Sequence, residues 1–322
     1  MKLTFRLLAA LAALFISFAA AAQAWPTRPV KIVVPFPPGG TTDILARMFA
    51  ERLQGVFGQP FLVENRGGAG GVIGTDAVAK SPPDGYTLLL SSSAPLAVGL
   101  KLYKKVPYDA MRDLAPVSMV ADVAMVLAVS PGFKATTVNE LIAYAKSNPG
   151  KLNIALNSLG SQSHLLTELF RVRTGTSFNM VPYKGTGPAV VDLMAGVVDA
   201  DFENLPAVVE HIRGNRLRAL AVLSASRSEV LPNVPTMAEL GMSEFVASPW
   251  FAIAAPAGTP APIVARLNEE INKILKAPAT RELLAKQGAN PVVMTPEETA
   301  RFFREEIDKW ARIVAETGAK LE

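Results

Sequence analysis

The sequence predicts an α/β protein of two lobes joined by two extended crossings. Three observations predict it. Strand-like and helix-like segments alternate along the chain, the order that builds sheets flanked by helices. The pattern starts afresh after Pro131, and 322 residues, half of them hydrophobic, would crowd one domain of ordinary size. Two apolar extended stretches, near Ala124 to Pro131 and Phe245 to Pro256, lack the Ser and Gly of a flexible linker, so the lobes are expected to hinge about strands.

The first 24 residues read as an export signal. Lys2 and Arg6 make a basic start, Leu7 to Phe18 is an apolar stretch broken only by Ser17, and Ala22-Gln23-Ala24 offers the small-x-small pattern that signal peptidase reads. The apolar run is shorter than the ~20 residues a membrane span needs, so cleavage before Trp25 and a periplasmic mature protein are expected. With no Cys in the chain, a lipoprotein anchor, disulfides and thiol chemistry are excluded. The expected organisation is residues 25–125 as the first part of lobe 1, 126–248 as lobe 2 with the first crossing, and 249–322 as the second crossing and the return to lobe 1.

Val30 to Phe36 is a β-branched run bounded by Pro29 and Pro37, read as a buried strand. Gly39-Gly40-Thr41-Thr42 leads into a helix whose Ile44, Leu45, Met48, Phe49, Leu53 and Val56 keep i, i+3, i+4 spacing up to Gly58. Phe61 to Glu64 and Tyr86 to Leu90 are the next strands, separated by the glycine cluster 67–74 and a short helix, and a largely parallel sheet is expected. In the second lobe, Thr137 with Glu140 forms a capping box for a helix to about Ser147. Leu152 to Leu156 is a strand, and Gly160-Ser161-Gln162-Ser163 opens a helix. Gly187-Pro188 begins the next helix and Gly196 ends it. Val197 to Phe202 and Arg218 to Leu223 are further strands. Helices follow at 261–276, 280–287 and 296–316, the last behind a Thr295/Glu298 capping box, with a strand at Pro291 to Met294.

The chemistry narrows by exclusion. A formal charge of +4 from 32 basic and 28 acidic residues, without a Lys/Arg-rich run, argues against a nucleic-acid partner. No window of the glycine cluster satisfies Gly-x-Gly-x-x-Gly, so it is expected to pack backbone on backbone rather than to hold a dinucleotide. His164 and His211 are the only His and there is no His-Glu-x-x-His, so no metal and no cofactor is expected. Gly-x-Ser-x-Gly is absent, and Ser163 beside His164 is badly placed for a catalytic couple; no catalytic residue is assigned. What remains is one Gly/Ser/Thr-rich loop per lobe, Gly39 to Thr42 and Ser158 to Ser163, each ending in a helix N-terminus where unpaired N–H groups and the helix dipole favour an anion. Taken singly, either loop is better explained by ordinary capping through Thr42, Asp43, Ser161 and Ser163; one in each lobe favours a cleft.

Several motifs resemble one family in order along the mature chain: Pro35-Phe36-Pro37-Pro38-Gly39-Gly40 with Asp43 and Ala46-Arg47, Glu64-Asn65-Arg66 with Gly68-Ala69-Gly70-Gly71, Pro83-Asp84-Gly85-Tyr86-Thr87-Leu88-Leu89, and Val181-Pro182-Tyr183-Lys184-Gly185 with Pro188-Ala189 and Asp192-Leu193. They resemble the Bug family, the extracytoplasmic receptors of tripartite tricarboxylate transporters. The resemblance implies a type II periplasmic binding protein fold, with a small organic acid or amino acid held between the lobes and integral membrane permease subunits as partners. A monomer is expected, with a ligand sensor of the same fold as the alternative to transport. One wall would be Phe36, Gly39, Gly40, Thr41 and Thr42 with Ser91, Ser92 and Ser93; the other would be Ser158, Gly160, Ser161, Gln162 and Ser163 with the loop from Tyr183 to Gly187, in particular Tyr183, Lys184 and Gly185, and with Asn204. Gly67, where the family more often has Pro, and Ala195, where it often has Gly, depart from the pattern outside these contacts.

Overall fold

The computed structural model describes residues 25–317, and the expected signal segment lies outside them. Each lobe is built on one sheet. The first has the order β11-β4-β10-β3-β1-β2 and the second β7-β6-β8-β5-β9, from strands β1 (Val30–Val34), β2 (Phe61–Asn65), β3 (Thr87–Ser92), β4 (Leu114–Val123), β5 (Met125–Val129), β6 (Asn153–Leu156), β7 (Asn179–Pro182), β8 (Ala200–Asn204), β9 (Arg218–Val222), β10 (Trp250–Pro256) and β11 (Ala289–Pro291).

The expectation of a largely parallel sheet needs correcting, because both sheets are mixed. β1 pairs parallel with β2 and β3, but β10 runs antiparallel to β3 and β4. In the second sheet β6 pairs parallel with β7 and β8, while β5 is antiparallel to β8 and β9. The reason is the crossings: β5 and β10 each arrive from the other lobe, so each enters its sheet against the direction of its neighbours. The same placement puts the starts of β5 and β10 beside the carboxyl ends of the parallel strands, the edge where ligands of open α/β sheets bind.

The chain crosses in short segments. β4 passes into β5 through Ala124 alone, whose carbonyl accepts from Leu205 N–H at 2.9 Å and whose N–H donates to Gly288 O at 3.1 Å. The return runs from Ala247, still bonded to Leu223 O, to Trp250, and Pro249 O accepts from Val123 N–H at 2.9 Å. Two adjacent strands tied by backbone bonds bend together, which is how a hinge keeps the lobes rigid while they rotate.

Each lobe has its own apolar interior. Val30, Ile32, Val34, Phe49, Leu53, Leu88, Leu90 and Phe251 pack together in the first. Phe170, Phe202 and Phe245 meet in the second, with ring centroids 5.6–6.2 Å apart. Helix α1 (Thr41–Phe57) ends at Gly58 in the left-handed region, the C-cap expected of it. Within α2 (Val72–Ala79), a Cβ at Gly74 would sit 2.5 Å from Arg66 O and 2.7 Å from Pro35 Cα. Part of the glycine cluster therefore lets a helix lie against the end of β1, as the backbone-packing reading has it.

Candidate functional site

The loops at the carboxyl ends of β1, β3, β6 and β8 meet across a cleft of about 520 Å³, its mouth included. On the first lobe Phe36, Gly40, Thr41 and Thr42 face Ser92 and Ser93; on the second lie Ser158, Ser161, Gln162, Ser163, Gly185 and Asn204. The structure thus brings together most of the residues singled out in the sequence. Five stand apart. Gly39 lies just outside, its N–H held by Asp43 Oδ2 at 3.0 Å. Ser91 is buried in β3 behind the wall, Gly160 N–H donates to His164 Nδ1, Tyr183 sends its hydroxyl to Asp192 Oδ2 at 2.7 Å, and Lys184 is exposed away from the lining. Ala94, Met125, Asn157, Thr186, Pro249 and Phe251 also line the cleft. Thr186 belongs to the Tyr183 to Gly187 loop expected on the second wall; sequence reasoning passed over the other five, and the turn from β6 into the Ser158 loop was the nearest signal, for Asn157.

No lining side chain carries a positive charge. Helix N-termini take that place. The lining residues Thr41 and Thr42 open α1, Gln162 and Ser163 open α5 (Gln162–Thr174), and Thr186 opens α6 (Thr186–Ala195), after α3 (Gly99–Leu102) and α4 (Val138–Ser147). The N-caps of α1 and α6 are glycines, Gly40 and Gly185, with no side-chain cap bond. Their first-turn N–H groups have no acceptor in the helix, and the dipole adds partial positive charge. Only α5 is capped: Ser161 Oγ accepts from His164 N–H at 3.4 Å and donates to Ser158 O at 2.7 Å. Ser161 is therefore committed to its own helix, whereas the buried Thr41 Oγ1, Gln162 Oε1 and Asn204 Oδ1 have no partner.

Arg47 is kept out of the cleft by Asp43. Burial raises the Asp43 carboxyl, but hydrogen bonds from Arg47, the Gly39 N–H and Asn65 outweigh it and hold the group below its ordinary range. Asn65 also donates to Phe36 O at 3.0 Å, which fixes the loop after β1. Burial lowers His164, in keeping with an imidazole whose Nδ1 accepts from the Gly160 N–H.

The walls are in contact. A Cβ at Gly187 would overlap the Pro38 carbonyl oxygen, one at Gly185 would lie 2.5 Å from Pro37 Cδ, and one at Gly40 3.1 Å from Thr186 Cβ. Tyr103 Oη donates to Leu159 O at 2.9 Å across the cleft. Tyr103→Phe removes this bond from the closed form and is expected to weaken ligand binding about fivefold, ~1 kcal/mol. Calorimetric titration checks this, and an unchanged affinity would mean that the bond adds nothing to closure.

Two mixed sheets of like order, a double crossing and a cleft walled by both lobes define a two-lobed type II periplasmic binding protein fold. The chain matches the family described as "Tripartite tricarboxylate transporter family receptor" over residues 45–319 and belongs to it. It is 60% identical over 302 residues to Protein BugT of Bordetella pertussis, covering 94% of this chain and 93% of that one. An R. palustris protein solved with adipate has 39% identity and a TM-score of 0.87, covering 91% of this chain and 98% of its own. MatC from Rhodopseudomonas palustris with bound malate has 32% identity and a TM-score of 0.84, covering 90% and 100%. The family and the fold are those of periplasmic solute receptors.

Proposed function

We propose that this chain is an exported receptor, not an enzyme, that closes its lobes on a small organic acid and delivers it to a membrane permease. The observation that carries the reading is the set of glycine-capped or Ser/Thr-lined helix N-termini facing one another over a cleft without a cation. Such walls suit a carboxylate, whose oxygens accept from N–H and hydroxyl groups. Donor sets on both lobes suit two carboxylates on a short chain, in keeping with the adipate and malate of the two similar structures. Each set alone offers few donors, so tight binding requires both walls at once.

A thermal-shift screen of mono- and dicarboxylates and amino acids beside their neutral amides tests the reading. Saturation at 100 times the dissociation constant is expected to stabilise the fold by about 2.7 kcal/mol. A shift with sugars or cations and with no carboxylate would overturn it. Thr41→Val removes a hydroxyl that has no partner in the protein and is expected to weaken binding by ~1 kcal/mol. Ser161→Ala, also about 1 kcal/mol, should act largely through helix stability, since its hydroxyl caps α5. Titration and melting of the two variants separate these effects. Export places the mature start at Trp25, which the intact mass of secreted protein checks; a mass retaining residues 1–24 would contradict it.

A further inference from the structure

We propose that Glu203 is a positioning residue of the ligand site, one that touches no ligand yet sets the second wall by tethering two of its lining residues, Asn157 and Asn204. The inference rests on the carboxylate-receptor reading. Glu203 lies on β8, wholly buried and outside the cleft lining. It accepts from Asn157 Nδ2 at 3.0 Å and from the Asn204 N–H at 2.6 Å, both at Oε1. Asn157 and Asn204 both line the cleft, one in the loop after β6 and the other at the carboxyl end of β8. One carboxyl therefore holds the loop after β6 in register with the end of β8.

The tether continues. Asn157 Oδ1 lies 3.0 Å from Ser161 Oγ and shares the single proton of that hydroxyl with the Ser158 carbonyl, and Ser161 caps α5. With an acceptor on its amide nitrogen and a donor on its amide oxygen, Asn157 has a single orientation of its side-chain amide. β8 needs no acid for packing: its alternate residue Phe202 points into the apolar interior of the lobe. Burying a carboxyl that is incompletely satisfied, with Glu203 Oε2 lacking a partner, works against stability. What the group supplies instead is a fixed acceptor behind the wall, the supporting shell that a precise site requires.

Two variants and two readouts test this. Glu203→Gln keeps an acceptor oxygen in place, whereas Glu203→Met keeps the length and removes the acceptor. Calorimetric titration with malate, succinate and adipate is expected to give wild-type affinity within about twofold for Glu203→Gln and a loss on the order of tenfold for Glu203→Met. Asn157→Ala should weaken binding similarly and not add to Glu203→Met, because the two act through one contact. The side-chain amide signal of Asn157 in an NMR spectrum should be sharp in the wild type and in Glu203→Gln and displaced or broadened in Glu203→Met. Wild-type affinity in a folded Glu203→Met, or an unmoved Asn157 signal, would overturn the inference. If none of the three acids binds wild-type protein, the carboxylate reading fails, and the Asn157 signal alone decides the role of Glu203.

Discussion

Gly187→Val is expected to weaken ligand binding by a hundredfold or more while both lobes remain folded. Gly187 stands in the first turn of α6, where any Cβ overlaps the Pro38 carbonyl oxygen of the opposite lobe. Backbone cannot yield as the tip of a long side chain would, so the clash is relieved only by rotating the lobes apart. That rotation leaves the two apolar interiors untouched, since they belong to different sheets. It does separate the α1 donors from those of α5 and α6, and a ligand then meets one wall. Losing half the donors and the exclusion of water removes at least about 2.7 kcal/mol, a factor of a hundred. Titration calorimetry and melting curves without ligand measure the two halves of this expectation. Tight binding by the folded variant would mean that the contact of Gly187 with Pro38 plays no part in the bound state.

The second large effect is on stability against pH. Burial raises both Asp201 and Glu203, neighbours on one face of β8. Glu203 is pushed up to about 7 against hydrogen bonds that lower it, and Asp201 is carried well above its ordinary range by burial and by the Glu203 charge. Groups whose folded value exceeds the unfolded one bind more protons in the native state, so stability falls as pH rises between the two values. For Glu203 the window is 4.5 to about 7, and the loss across it is on the order of 3 kcal/mol. Asp201 moves the same way. Asp43 and Glu64 are shifted downward, so their contribution is lost only below their ordinary range near pH 4. His164 and His211, both lowered by burial, oppose this below about 6.5, but the larger shifts of the acid pair dominate, so unliganded protein should resist urea better at pH 5 than at pH 7.5, and Glu203→Gln should flatten much of that slope. Equal midpoints at both pH values in the wild type would contradict the burial of a titrating pair.

Much of this was legible in the sequence because the signals are local. The helices after Gly40, Thr137, Ser161 and Thr295 are announced by their own caps. Thr295 and Glu298 form the full reciprocal box, while Glu140 turns its carboxylate to the Thr136 N–H instead of Thr137. The two loops that meet over the cleft stand out because each combines small polar residues with a helix start. β4 did not stand out. Its sequence carries Pro116, tolerated because the pairing with β10 shifts register between Ile253 and Ala254, where Pro116 pairs. The expected strand at Val197 to Phe202 lies instead at Ala200–Asn204, and the one at Pro291 to Met294 at Ala289–Pro291. Both shifts follow from partners distant in sequence, β5 and β4. Asn157 was missed for a related reason. A single Asn after a strand forms no motif, and its significance comes from Glu203, 46 residues away. Ser161 shows the reverse: its sequence position suits a ligand donor, yet its hydroxyl is spent on its own helix.

A small acid held between two walls that close on it should be visible in small-angle X-ray scattering of the mature protein. It would be measured with and without a saturating dicarboxylate found in the screen. The structure places Pro37 and Pro38 against Gly185 and Gly187, and Tyr103 on Leu159, contacts that belong to the bound form if closure depends on the ligand. The expected result is a smaller radius of gyration at saturation, with a profile matching the closed arrangement. An identical profile with and without bound ligand would contradict closure and leave a preformed pocket.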